Sequence, residues 1–201
     1  RAAGISSGIK ENGAKDLGMV ISDFPTASAA TFTTNRIKAA PVRLSKRHLR
    51  HGDIRALIVN SGNANACNGK QGFNDAKLMT QFAASSLGLD PRQIFVCSTG
   101  IIGYPLPVEK VQIAAPKIVK KLRVSGWRDF SQSIMTSDKV NKVSSFKTLI
   151  GGKEITFTGA AKGSGMIAPN MATMLAFFVT DASISENDLR EHTKRAVDDT
   201  F

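Results

Sequence analysis

The sequence predicts a mixed α/β protein in which sheets pack between helices and functional loops sit at strand ends. Three observations carry this. Short apolar runs rich in β-branched residues recur along the chain. Stretches with apolar residues at helical spacing lie between them. Glycine, proline and asparagine mark the joints.

In order, Leu17 to Ser22 and Ala29 to Thr34 read as strands, and Arg55 to Asn60 as a strand running into a Gly/Asn-rich loop. Asp75 to Leu87 places Leu78, Met79, Phe82, Ala83 and Leu87 on one helical face. Asn74 can cap its start and Gly88 stops it before Asp90-Pro91. Gln93 to Cys97 is a strand followed by the turn Ser98 to Gly103. Pro107 to Leu122 is helical in pattern, with Pro116 breaking or restarting it, and Trp127 to Met135 is a further helix. Ser144 to Ile150, Gly151-Gly152, then Glu154 to Gly159 is a hairpin with a Gly-Gly turn. Met174 to Val179, bounded by Thr180-Asp181, is a short buried strand. Ser185 to Val197 is a helix whose Ser185 and Asp188 resemble a capping box.

The 201 residues suffice for one domain or two small ones, and 42% hydrophobic with 21% charged residues is ordinary for a soluble globular chain. No apolar run approaches the roughly 20 residues that cross a bilayer. Cys67 and Cys97 form no disulfide framework and, with His48, His51 and His192, no metal-ligand spacing, so no metal is expected. Both cysteines read as small buried residues near loops and suit a reducing compartment. The net charge of +11 attracts anions, and Arg43 to His51 is its densest patch. Aromatic residues are only 6% and do not interleave with that patch. The stacking half of a nucleic-acid site is therefore missing, and the patch reads as a solvated helix face.

Chemistry concentrates after Lys162. Thr173 follows the small residue Ala172, behind a Gly-rich approach (Lys162-Gly-Ser-Gly165) and ahead of the apolar run Met174 to Val179. A threonine hydroxyl needs a base, and its own α-amine, titrating near neutral pH, is one solution. That requires cleavage between Ala172 and Thr173, by attack of the hydroxyl on the preceding carbonyl. On local pattern alone, an ordinary strand-edge threonine is the commoner reading.

Three loops could meet Thr173. Asn60 to Gly69 is small, polar and uncharged, able to approach a ligand and offer backbone amides. Ser98-Thr99-Gly100 could supply a hydroxyl and an N–H to a developing oxyanion. The third loop brings Lys162, which could pair a substrate carboxylate or polarise the nucleophile's surroundings. Met135-Thr-Ser-Asp138 adds two hydroxyls and a carboxylate that could cap a helix or bind a polar ligand. Each alone reads more simply as a turn, but together they supply what acyl transfer requires.

Five segments carry a resemblance: Ala2-Ala-Gly-Ile-Ser-Ser-Gly-Ile-Lys10, Ala30-Thr-Phe-Thr-Thr-Asn-Arg36 with Ala40-Pro-Val42, Asn60-Ser-Gly-Asn-Ala-Asn-Ala-Cys67, Ser98-Thr-Gly-Ile-Ile-Gly103, and Lys162 to Leu175. In this order they resemble the ornithine acetyltransferase family, the glutamate N-acetyltransferases of arginine biosynthesis. The resemblance implies a sheet sandwich flanked by helices, similar to N-terminal nucleophile hydrolases with different connectivity. It implies self-cleavage at Ala172–Thr173, giving an N-terminal fragment of residues 1–172 and the start of a C-terminal fragment at 173–201. Thr173 would be the nucleophile, taking acetyl from N-acetylornithine and passing it to glutamate through an acetyl-threonine intermediate. Thr99 and Gly100 would form the oxyanion hole, and Thr136, Lys162 and Thr173 would bind substrate.

No cofactor is implied, although some members use acetyl-CoA as a co-substrate. The fragments stay associated, usually as a dimer of such pairs. Bacterial members are cytoplasmic, and fungal and algal members organellar. Family members run to about twice this length, so residues 1–201 alone are expected to be inactive. Two rival readings are a self-processing amidase or aminopeptidase that hydrolyses its acyl-enzyme, and an inactive basic binding protein.

Overall fold

The computed structural model describes residues 1–165 and 174–200. Two sheets form. The first has four strands in the order β1 (Ala2–Ile5), β2 (Leu17–Ile21), β3 (Ala56–Asn63) and β4 (Ile94–Ile101), with β1–β2 and β2–β3 antiparallel and β3–β4 parallel. The second is an antiparallel meander of β5 (Lys142–Ile150), β6 (Lys153–Lys162) and β7 (Leu175–Thr180).

Helices α1 (Ala40–Leu49), α2 (Gly69–Leu87) and α3 (Val108–Val119) cover one face of the first sheet. There Leu44, Met79, Ala83, Val111 and Ile118 meet Ile58, Ile94 and Val96 in the larger core. The alternation of the strands sends Leu57 and Val59 to the opposite face. There they meet Phe130 and Ile134 at α4 (Trp127–Ser133), and Ala160, Leu175 and Phe177 of the second sheet. The layers are therefore helices, sheet, then α4 with the second sheet: the mixed α/β sandwich expected.

Several elements differ from expectation. Ala29 to Thr34 forms no strand. Hydroxyls here bond locally instead, as where Thr33 Oγ1 accepts from the Asn35 N–H at 3.2 Å. The small residues Ala2, Ala3 and Gly4, which lack strand character, form buried β1. A Cβ on Gly4 would lie 2.0 Å from the Asp129 carbonyl oxygen, so α4 packs directly on this backbone. Helix α2 starts at Gly69, ahead of Asn74, because Asn65 Nδ2 anchors the Gly72 carbonyl at 2.8 Å and buries the added turn.

Pro116 neither breaks nor restarts α3, since its missing N–H removes one bond from a helix otherwise held by core packing. Helix α1 is only partly solvated. Ser45 Oγ donates to the Val96 carbonyl at 2.7 Å, and His48 Nδ1 lies 2.8 Å from the Ile94 carbonyl. Burial lowers the His48 pKa, against the raising effect of that carbonyl. Cys67 is exposed, contrary to its expected burial, because it sits at φ 64° in a surface turn; Cys97 is half-buried.

The expected hairpin is present, with Phe146 stacked on Phe157 at 5.2 Å. Its outer face is bare. Strand β5 is exposed throughout, and Phe146, Phe157 and Phe178 line an apolar groove of about 350 Å³. The final helix, α5 (Glu186–Thr200), buries none of its residues, and Ser185 Oγ caps it by accepting the Asp188 N–H at 3.1 Å.

Candidate active site

The first residues of both polar loops expected after β3 and β4, 60–63 and 98–101, in fact continue those strands, and the remainder of each is irregular. Ser61 is in register with Thr99 and Gly62 with Gly100, before the pairing becomes irregular at Asn63. Gly100 has φ 136°, and a Cβ there would lie 2.3 Å from the Gly62 carbonyl carbon, so the two glycines let the strands stay paired to their ends. The asparagine side-chain amides tie this region together from within. Asn60 Nδ2 donates to the Asn63 carbonyl at 2.8 Å, and Asn63 Nδ2 donates to the Pro105 carbonyl at 3.0 Å. Asn68 Nδ2 donates to the Tyr104 carbonyl at 2.7 Å.

This extension carries Thr99 onto the face that meets the second sheet. Lys162, at the end of β6, reaches across, and its Nζ donates to Thr99 Oγ1 at 2.9 Å. Thr99 is 7% and Lys162 3% exposed. Two residues separated by 63 positions thus form one buried hydroxyl–ammonium pair between the sheets. Leu175 pairs with Lys162 in the β6–β7 register. Ala172 and Thr173, the expected cleavage pair, precede Leu175 in sequence and lie outside the described residues.

Asp138 ties the neighbouring segments together. Its carboxylate accepts from Lys142 Nζ at 2.6 Å, the Gly163 N–H at 2.9 Å and the Thr136 N–H at 3.2 Å. The Gly165 N–H donates to Ser137 Oγ at 3.3 Å. The Thr136 turn is thereby fastened to the backbone just after Lys162, leaving Thr136 itself exposed.

Burial pulls the Asp138 carboxyl upward, but these three hydrogen bonds outweigh it and bring its pKa down to about 2. A carboxyl that titrates lower in the folded state stabilises the fold while ionised. That contribution is complete above its ordinary value of 3.8 and is lost as pH falls through about 2. It amounts to about 2 kcal/mol. Asp138→Asn is expected to flatten the loss of stability between about pH 4 and 2, measured by urea unfolding at each pH; an unchanged slope would assign that loss to other carboxylates.

Lys10 completes the cluster, and no role for it was visible in the sequence. Its backbone N–H donates to buried Asp16 at 2.9 Å, and its Nζ donates to the Met135 carbonyl at 2.7 Å. Burial lowers the pKa of Lys10; Asp16 and Asp138 oppose this and Lys162 reinforces it. Burial likewise lowers that of Lys162, opposed by Asp138 and reinforced by Lys142. A buried hydroxyl backed by cations suits an oxygen that gains negative charge. Among the described residues, no cluster of His, Cys, Asp or Glu could hold a metal ion, and no helix is long and apolar enough to cross a membrane.

The chain resembles known proteins in both sequence and fold. The chain is 44% identical over 201 residues to arginine biosynthesis bifunctional protein ArgJ 1 of Clostridium acetobutylicum, covering all of this chain and 49% of that protein. It is 44% identical over 202 residues to ArgJ of Bacillus subtilis, again covering 49% of it. The chain thus spans about half the length of the curated relatives it matches.

Among solved structures, ArgJ from Bacillus halodurans superposes with a TM-score of 0.78 at 37% identity, covering 87% of this chain and 90% of that one. Ornithine acetyltransferase from Mycobacterium tuberculosis, complexed with ornithine, superposes with a TM-score of 0.73 at 35% identity, covering 84% and 90%. The ArgJ family matches residues 1–201, the whole chain, and on that match, with its sandwich and its run of motifs, the protein belongs to the ArgJ family.

Proposed function

We propose that the chain is the N-terminal part of a self-processing acetyltransferase. It would move acetyl from N-acetylornithine to glutamate through an acetyl ester on Thr173. The observation that carries this is the buried pair of Thr99 and Lys162, formed across two sheets beside the strand that follows Thr173. A second observation supports the division of the chain. The solved relatives match this chain almost end to end, whereas the curated relatives are about twice as long.

In the proposed cycle, Thr173 Oγ first attacks the Ala172 carbonyl, and water opens the resulting ester. This frees the Ala172 carboxylate and the Thr173 α-amine. The amine then takes the hydroxyl proton while Oγ attacks the acetyl carbonyl. Thr99 Oγ1–H and the Gly100 N–H hold the oxyanion. Ornithine leaves with the proton on its amine, and the glutamate amine attacks the acetyl-threonine, restoring the hydroxyl. Thr136 and Lys162 contact the amino-acid end of the substrate. No cofactor takes part in the exchange, and acetyl-CoA can enter as an alternative acetyl donor.

Residues 1–172 would remain bound to the fragment beginning at Thr173, with such pairs assembling as dimers in the cytoplasm. Residues 1–201 alone would be inactive. The test is the intact mass of the full-length gene product under denaturing conditions, with an acetyl-transfer assay on the same sample. Two fragments, the second beginning at Thr173, and glutamate-dependent loss of N-acetylornithine are expected. One uncut mass without transfer would overturn the reading, and acetate release independent of glutamate would replace it with an amidase.

A further inference from the structure

The contact between Lys162 and Thr99 fixes which atom donates. An ammonium carries three N–H donors and no lone pair, so cationic Lys162 can only donate and Thr99 Oγ1 must accept. The hydroxyl proton of Thr99 is left for another acceptor. A hydroxyl that accepts from a cation is itself a stronger donor, and more so where water is excluded, as at this buried pair.

We propose that Lys162 is a positioning residue of the oxyanion hole: its ammonium orients and polarises the Thr99 hydroxyl so that the O–H points at the acyl oxygen and not into the protein. This rests on the acetyl-transfer reading and deepens it. Lys162 gains a function that needs no carboxylate on the substrate.

The alternative protonation state makes the idea specific. Neutral Lys162 has a lone pair and would accept the Thr99 proton, turning the donor inward. Acyl transfer therefore falls as pH rises through the titration of Lys162. Burial lowers that titration below its ordinary 10.5. The charged groups facing Lys162 are Asp138, which opposes the shift, Lys142, which adds to it, and Lys10, whose own titration Lys162 lowers. The hydroxyl facing it is that of Thr99.

The test is a double-mutant cycle in the full-length, self-cleaved enzyme, using p-nitrophenyl acetate as an acetyl donor that has no carboxylate. Thr173 Oγ displaces p-nitrophenolate from the ester carbonyl, so release of p-nitrophenolate reports acylation alone. Lys162→Met and Thr99→Val are each expected to lower kcat/KM about 100-fold, and the double variant to be no worse than either. Lys162→Gln, which keeps an N–H donor without the charge, is expected to recover part of the rate. The fall at high pH should vanish in Thr99→Val.

Independent, multiplying losses would overturn the proposal. So would a Lys162→Met enzyme that keeps its rate on p-nitrophenyl acetate while its KM for N-acetylornithine rises; that result makes Lys162 a carboxylate partner only. A wild-type enzyme that transfers no acetyl overturns the acetyltransferase reading, and this one with it. A wild-type enzyme that transfers acetyl but shows independent losses overturns only the positioning role of Lys162.

Discussion

Thr173→Ala in the full-length protein is expected to leave a single uncut chain and to lower acetyl transfer by on the order of 10⁴-fold or more. Alanine has no oxygen to attack the Ala172 carbonyl, so the peptide bond stays closed. The same substitution removes both the nucleophile and, by preventing cleavage, the free amine that would serve as its base. Thr173→Ser keeps the oxygen and loses only a methyl group. It is expected to cleave, more slowly, and to retain measurable transfer. Denaturing mass spectrometry separates these outcomes. A cleaved and active Thr173→Ala protein would remove Thr173 from the chemistry and leave Thr99 and Lys162 as a buried pair of another purpose.

Phe130→Ala is expected to destabilise the fold by about 4 kcal/mol. Phe130 is fully buried and meets Trp127 edge-on at 5.6 Å and Phe177 at 5.5 Å. It belongs to the smaller core, with Val20, Leu57 and Val59 from the first sheet and Ala160 from the second. Truncation leaves a void bordered by both sheets and breaks two aromatic pairs. Since a domain is held by only about 5–15 kcal/mol, the thermal midpoint should drop by roughly 10 °C. Phe130→Leu fills most of the void and should cost less than half as much. A loss below about 1 kcal/mol for Phe130→Ala would mean that the sheets are held together elsewhere.

The sequence made some elements legible because their determinants are local. Gly88 ends α2 in the left-handed conformation, as a glycine after a helix commonly does. Gly151 and Gly152 sit at the turn between β5 and β6 at positive φ, as the Gly-Gly pair suggested. Thr99, Gly100 and Lys162 stood out by residue type, and the structure brings Thr99 and Lys162 into contact.

What the sequence conceals depends on distant partners. Strand β1 is written in alanine and glycine because α4 lies against its backbone, which no short window reveals. The ends of β3 and β4 resemble loops by composition and become strands only through pairing with each other. Asp138 reads as an ordinary helix cap until the fold brings the Gly163 N–H to it from 25 residues away. Lys10 acquires its neighbours in the same way, its Nζ reaching a carbonyl 125 residues along the chain.

The bare outer face of the second sheet has a consequence for how this chain behaves in bulk solution. Phe146 and Phe178 are 58% and 70% exposed, on a sheet whose strand β5 has no partner on its other side among the described residues. Such a surface favours contact between copies, while a net charge of +11 pushes them apart. The repulsion is long-ranged and fades once the Debye length shrinks to a few ångströms, whereas the apolar attraction does not. Colloidal stability of residues 1–201 is thus a contest set by ionic strength: dispersed in dilute buffer, self-associating in concentrated salt.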